Sequence, residues 1–250
     1  MMKNFGTATL TSNVTAGAFT MNGAATLNLG SGLTHTFSGA WTRTNGALNC
    51  SSSTLNLGGA LSGTGGTFTA GTGTVNYNGA AQTIAVVTYN NLTLSGSGVK
   101  TTTAGVTVNG NLTLSGTATA TTAGNMTIGG ALDVGTGTTF TVGANFTLGV
   151  TGATSVTGTL ALGGTGAKTF TGNVTVNSGG VWNETGTGAI AYAGNLQNDG
   201  TYTANTGLHT FSGATKTISG ANAISIPTAT FNTAGNTNNG TLTVGTLLTV

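Results

Sequence analysis

The sequence predicts an all-β protein folded as a β-solenoid, a parallel β-helix of about 11–12 irregular coils. Three observations carry this. Apolar residues alternate with Thr or Asn in short runs, Gly- and Asn-rich turns separate the runs, and whole segments recur along the chain. A β-sandwich or jelly roll also uses many short strands and tight turns, and it stands as the alternative.

Alternation is clearest in Thr26-Leu27-Asn28-Leu29, Leu92-Thr93-Leu94, Leu112-Thr113-Leu114, Val174-Thr175-Val176 and Leu242-Thr243-Val244. A period of two places the apolar side chains on one face and the polar ones on the other, as in a half-buried strand. Asn-Gly pairs begin at Asn22, Asn45, Asn78, Asn109 and Asn239, and such pairs take the positive φ of tight turns. Helices are not expected, because 45 Gly and 58 Thr among 250 residues disfavour them and no apolar period of 3.6 appears. Composition hardly changes from end to end, so residues 1–250 read as a single repetitive domain.

The repeats set the architecture. His35-Thr-Phe-Ser-Gly-Ala40 returns letter for letter at His209 to Ala214, and Thr26-Leu-Asn-Leu-Gly30 returns at Thr54 to Gly58. Residues 96–109 align with 164–177, Lys100 on Lys168. A module of Asn, apolar, Thr, apolar starts at Asn91, Asn111, Asn125, Asn145 and Asn173. A unit of about 20 residues is too small to hold a core alone, and stacking the units shares one. At roughly 4.8 Å per coil the predicted rod is on the order of 50–55 Å long. Asn at equivalent positions is expected to form ladders of amide hydrogen bonds between coils.

Charge is nearly absent. Only Lys3, Arg43, Lys100, Lys168, Lys216, Asp133, Glu184 and Asp199 are formally charged, where about a quarter of an average domain would be. Five scattered cations cannot displace the counterions of a nucleic acid, so no nucleic-acid partner is expected. Three carboxylates and two His leave little for acid–base chemistry. The chain is nevertheless not of disordered type: it is 37% hydrophobic, its mean hydropathy is +0.20 and its one proline is Pro227. Disordered chains sit in the opposite corner of composition space. Cys50 is alone, so there is no disulfide framework, and it reads as a small buried residue. The N-terminal Met1 to Gly6 shows no apolar signal stretch, and no window is apolar enough for a transmembrane helix.

Residues 73–84, 89–101 and 106–114 resemble the Gly/Thr/Asn-rich β-strand repeats of large bacterial surface proteins. These are the adhesin-like repeat regions common in Bacteroidota, similar in style to filamentous-haemagglutinin and autotransporter passengers. The resemblance implies exposure at the cell surface or outside the cell, and a structural or adhesive role without a set of active-site residues.

Each candidate for chemistry has a plainer reading. Gly96-x-Gly98-x-Lys100-Thr101 and Gly164-x-Gly166-x-Lys168-Thr169 lack the spacing and the helix of a phosphate loop, and read as a repeated turn bearing an exposed Lys. His35 and His209 hold one place in two copies of a module but have no Cys, Asp or Glu close in sequence, so neither a metal nor a cofactor is expected. Asp133, Glu184 and Asp199 read as scattered surface charges; a polysaccharide-degrading solenoid would need them to converge. The sequons at Asn91, Asn111 and Asn145 follow from the strand module. Among the aromatics, Trp41, Trp182, Tyr77 and Tyr202 are the candidates for stacking on a glycan, with Tyr89 and Tyr192 beside them, while Phe37, Phe140, Phe170 and Phe211 belong to the core. Thr-x-Thr pairs, as at Thr34 and Thr36 or Thr201 and Thr203, have the form with which ice-binding solenoids order water, but uneven repeat lengths argue against strict register.

The expected role is therefore a non-enzymatic structural subunit or segment of an extracellular bacterial surface fibre. It would assemble head to tail through exposed coil ends, with Leu242, Val244, Leu247, Leu248 and Val250 as the assembly edge. A glycan-binding or host-surface-binding adhesin module is the alternative.

Overall fold

In the computed structural model, which describes residues 6–63 and 65–250, the chain winds as a β-solenoid of about 12 turns with no helix among the described residues. Met1 to Phe5, including Lys3, lie outside them. Each coil lays down three strands in turn, here named leading, middle and trailing. The middle face is one continuous sheet of 12 strands, from Thr15–Ala16 to Thr237–Asn238. Every strand pair recorded is parallel, and partners lie one coil apart. Leu92, for example, lies beside Leu112 and Leu112 beside Leu132. Parallel neighbours joined by a full coil exclude the sandwich, whose sheets are antiparallel.

Alternation decides which side chains enter. One middle-face column runs His35, Leu55, Val75, Leu92, Leu112, Leu132, Thr154, Val174, Leu196, Ile218 through successive registers, and all ten are buried. The residue between each inward pair faces outward, a Thr at Thr36, Thr93, Thr113 and Thr175 but Asn56, Asn76, Asp133, Ser155 and Gln197 on the other strands. Coil length varies because corners vary. Leu94, Leu114 and Val134 step by 20 residues, but Val134 to Val156 takes 22. Corners also demand glycine where coils touch: a Cβ on Gly186 would collide with the backbone O and N of Gly164.

Thr154 breaks the column's chemistry. It is 1% exposed, it sits between Leu132 and Val174, and its hydroxyl has no hydrogen-bond partner among the described residues. An unpaired buried hydroxyl costs about 1–3 kcal/mol. Thr154→Val removes it at equal shape, and a urea melt should show stabilisation by about 1–2 kcal/mol.

The two side faces are each interrupted. The leading face is a 4-stranded sheet ending at Thr67–Thr69, then a 9-stranded sheet starting at Thr88–Tyr89. The trailing face is a 3-stranded sheet ending at Leu61–Ser62, then a 7-stranded sheet starting at Gln82–Ile84. The breaks fall at consecutive coil boundaries. There, Tyr77 lies beside Leu94, a step of only 17 residues. Internal polar groups tie the fault. The Tyr77 and Tyr89 hydroxyls meet at 2.9 Å, Tyr89 donates to Ala85 O at 2.7 Å, and Ala85 N donates to Tyr77 at 3.1 Å. Gln82 Nε2 reaches back to Leu57 O at 2.8 Å and Gly59 O at 2.7 Å.

Asn ladders are present, with a different geometry from the one expected. The Asn91 side-chain oxygen accepts from Asn111 N, that of Asn111 from Ala131 N, and that of Asn173 from Asn195 N, at 2.8–3.0 Å. The module's Asn thus bonds the backbone of the next coil. A direct amide-to-amide bond joins Asn76 to Asn56 at 2.9 Å.

Candidate functional site

Glu184 ends the strand Val181–Glu184. Trp182 faces inward on that strand, and parity carries Glu184 inward with it, where it is 4% exposed. Its Oε1 accepts from Trp182 Nε1 at 2.7 Å and from the Tyr202 hydroxyl at 2.8 Å. Its Oε2 accepts from Asn205 N and pairs with His209 Nε2, both at 2.9 Å. A carboxylate has about four lone-pair sites, so this one is saturated. Burial pushes the carboxyl up, but the His209 hydrogen bond and charge, with the Asn205 and Trp182 donors, outweigh it and hold Glu184 below the ordinary carboxylate value. His209 Nδ1 faces Gly207 O at 3.0 Å. Both ring nitrogens therefore face acceptors, which a doubly protonated ring satisfies. His35, its copy, differs: Nδ1 accepts from Val14 N at 3.2 Å and Nε2 donates to Leu29 O at 2.7 Å, which a neutral ring satisfies.

The two repeated lysines are also inside, each 1% exposed. This corrects the expectation of an exposed Lys on a turn. Lys168 and Phe170 share a parity on Lys168–Phe170, so a buried Phe170 commits the lysine inward. Lys100 Nζ donates to Gly79 O, Ala80 O, Ser97 O and Gln82 Oε1, the last at 2.8 Å. Lys168 Nζ donates to Gly163 O and Gly166 O. Desolvation lowers both ammonium groups; for Lys168 the nearby Glu184 charge opposes it. Carbonyl cages of this kind hold a single ammonium and leave no room for a phosphate.

The stacking candidates are corrected as well. Trp41, Trp182 and Tyr77 are fully buried at 0% and offer no face to a sugar ring. Tyr202 is half-buried, with its hydroxyl spent on Tyr192 and Glu184. Tyr89 and Tyr192 are buried too. These rings build the core: Trp182 stacks on Tyr202 at 5.8 Å and 7°, and Phe211 on Phe231 at 4.7 Å and 11°. Phe37, Phe140, Phe170 and Phe211 are core residues, and so is Cys50, whose thiol burial pushes up to about 12.

The carboxylates do not converge. Glu184 is internal, so it is no surface charge. Asp133 faces outward on the middle face, where its register runs through Ser155 and Thr175 to Gln197, three coils on. Asp199 lies two residues beyond, held by Gln197 Nε2 and Ala221 N. No group of three or more potential metal ligands forms among the described residues.

The end of the solenoid remains as a surface feature. The final strand, Leu242–Thr249, pairs with Ile224–Phe231 and bends with it past Pro227. Leu242 and Val244 are half-buried, whereas Leu247, Leu248 and Val250 are 55%, 53% and 95% exposed. A cavity of about 540 Å³ opens there, lined by Ile218, Phe231, Leu242, Val244, Leu248 and Val250 among others. No protein family, curated protein or solved structure matches this chain. No helix in the described residues is long and apolar enough to cross a membrane.

Proposed function

We propose that the chain is a structural element of an extracellular bacterial surface fibre, extended end to end by rung-on-rung stacking with a second copy. The supporting observation is the apolar mouth at the final coil, where the interior column opens onto exposed Leu247, Leu248 and Val250. An open apolar end beside unpaired strand edges recruits further strands. The first coil offers a matching rung, with Ala8, Leu10, Val14 and Phe19 packed only partly against the core. Net charge of +2 gives little repulsion between copies. The resemblance to surface-protein repeats supports the location.

Sedimentation velocity and negative-stain microscopy of the purified 250-residue chain test this. The wild type is expected to form rods longer than one chain as concentration rises, and Leu248→Asp to remain monomeric with an unchanged melting curve. A wild type that stays monomeric throughout would remove the proposal. The glycan-binding alternative keeps no exposed Trp or Tyr among the described residues.

A further inference from the structure

Uneven repeat lengths are absorbed in the corners, and on the trailing face the Thr-x-Thr pairs fall into strict register. One outward column runs Thr119, Thr139, Thr159, then Val181 and Thr201. The neighbouring column runs Thr83, Thr101, Thr121, Thr141, then Ala161, Asn183 and Thr203. All nine threonines are exposed or half-exposed. Of their hydroxyls only that of Thr119 finds a partner among the described residues, Gly98 O at 3.4 Å. Fully buried Phe140, Leu160 and Trp182 stand behind the columns and fix the backbone that carries them. The charged residues on these strands, Lys100 and Glu184, point inward, so this face shows solvent only methyl, hydroxyl and amide groups.

An outward Thr by itself needs no ligand, since Thr is a good strand former. The other faces show that plain case. The nine-stranded part of the leading face carries the outward column Thr88, Thr107, Thr127, Gly149, Thr169, Ala191, Thr210. In the four-stranded part the pairs Thr7/Thr9 and Thr67/Thr69 are kept apart by Thr26/Asn28 and Ala47/Asn49. The middle face mixes Asn56, Asn76, Asp133 and Gln197 into its columns, with the Asn amides engaged in bonds along the column. Two adjoining threonine columns occur on the trailing face.

We infer that the trailing face binds ice. Two residues along a strand span roughly 6.6–6.8 Å and neighbouring strands lie about 4.7–4.9 Å apart. The methyl and hydroxyl groups therefore form a rectangular net close to that of the oxygen rows on the prism faces of hexagonal ice. Methyls confine water in the troughs, unpartnered hydroxyls anchor it, and the rigid ladder sets the spacing before contact. Prior ordering of the surface lowers the entropic cost of binding a lattice. A charged group would orient water about itself and break the net, and none is present.

The test is inhibition of ice recrystallisation, together with partition of the labelled chain into a growing ice hemisphere. Three proteins are compared: wild type, the trailing-face pair Thr121→Lys/Thr141→Lys, and the leading-face pair Thr107→Lys/Thr127→Lys, with thermal melts verifying each fold. Wild type and the leading-face pair are expected to be active, and the trailing-face pair to lose both effects. An inactive wild type, equal loss in the two pairs, or adsorption to crystalline cellulose or chitin but not to ice would overturn the inference.

Discussion

Glu184→Leu is expected to lower the unfolding free energy by about 3–5 kcal/mol, the usual cost of removing one partner from a buried ion pair. The substitution strands the His209 ring and leaves the Trp182, Tyr202 and Asn205 donors without their acceptor. Chemical denaturation at neutral pH measures it, and Glu184→Leu/His209→Leu should cost less than the sum of the single changes. The same group gives an acid limb to stability. Its folded pKa is depressed below the ordinary 4.5, so its contribution is complete above that value and is lost as pH falls through the lowered folded one. Wild-type stability should decline there more steeply than that of Glu184→Leu. Parallel pH profiles for the two proteins would contradict this account of the pair.

Trp41→Ala is expected to cost about 3–5 kcal/mol by emptying a packed site. Trp41 is 0% exposed and lies 4.4 Å from the Phe19 ring and 4.6 Å from Phe37, centroid to centroid. The comparison with Trp182 is more telling. The indole N–H of Trp41 has no partner among the described residues, whereas that of Trp182 donates to Glu184. Trp41→Phe keeps a ring and deletes an unsatisfied donor, while Trp182→Phe keeps a ring and deprives a buried carboxylate. Melts should therefore rank Trp182→Phe as the more damaging. Equal losses would mean that ring volume alone sets both costs.

The parallel solenoid was legible because a period of two, a short repeat and poverty of charge all point the same way. Its coil count also followed, since about 20 residues per turn is a statement about sequence spacing. Parity within strands is equally readable and governs the charged residues too. Glu184 shares a parity with Trp182, and Lys168 with Phe170, so each pair enters the core together; charge alone suggested the surface. The aromatics obey the same parity. Trp41, Tyr77 and Trp182 occupy inward positions, and in a chain so rich in Gly and Thr they supply volume that small residues cannot. Register across coils was beyond reach. The 14- to 28-residue gaps between Asn modules in sequence mix coil steps with moves from one face to another. Asn111 to Asn125, for instance, passes from the middle-face strand Leu112–Leu114 to the leading-face strand Met126–Ile128.

The offset between the two broken side faces bears on how such a rod carries load. Thr67–Thr69 comes next along the chain after Leu61–Ser62, so the gap from Leu61–Ser62 to Gln82–Ile84 and the gap from Thr67–Thr69 to Thr88–Tyr89 overlap along the axis. Over that overlap the middle-face sheet is the one regular ladder among the described residues that transmits tension. Under pull, extension would concentrate in this zone, where the uninterrupted twelve-strand sheet and the Gln82 amide act as the tether while neighbouring turns stay closed.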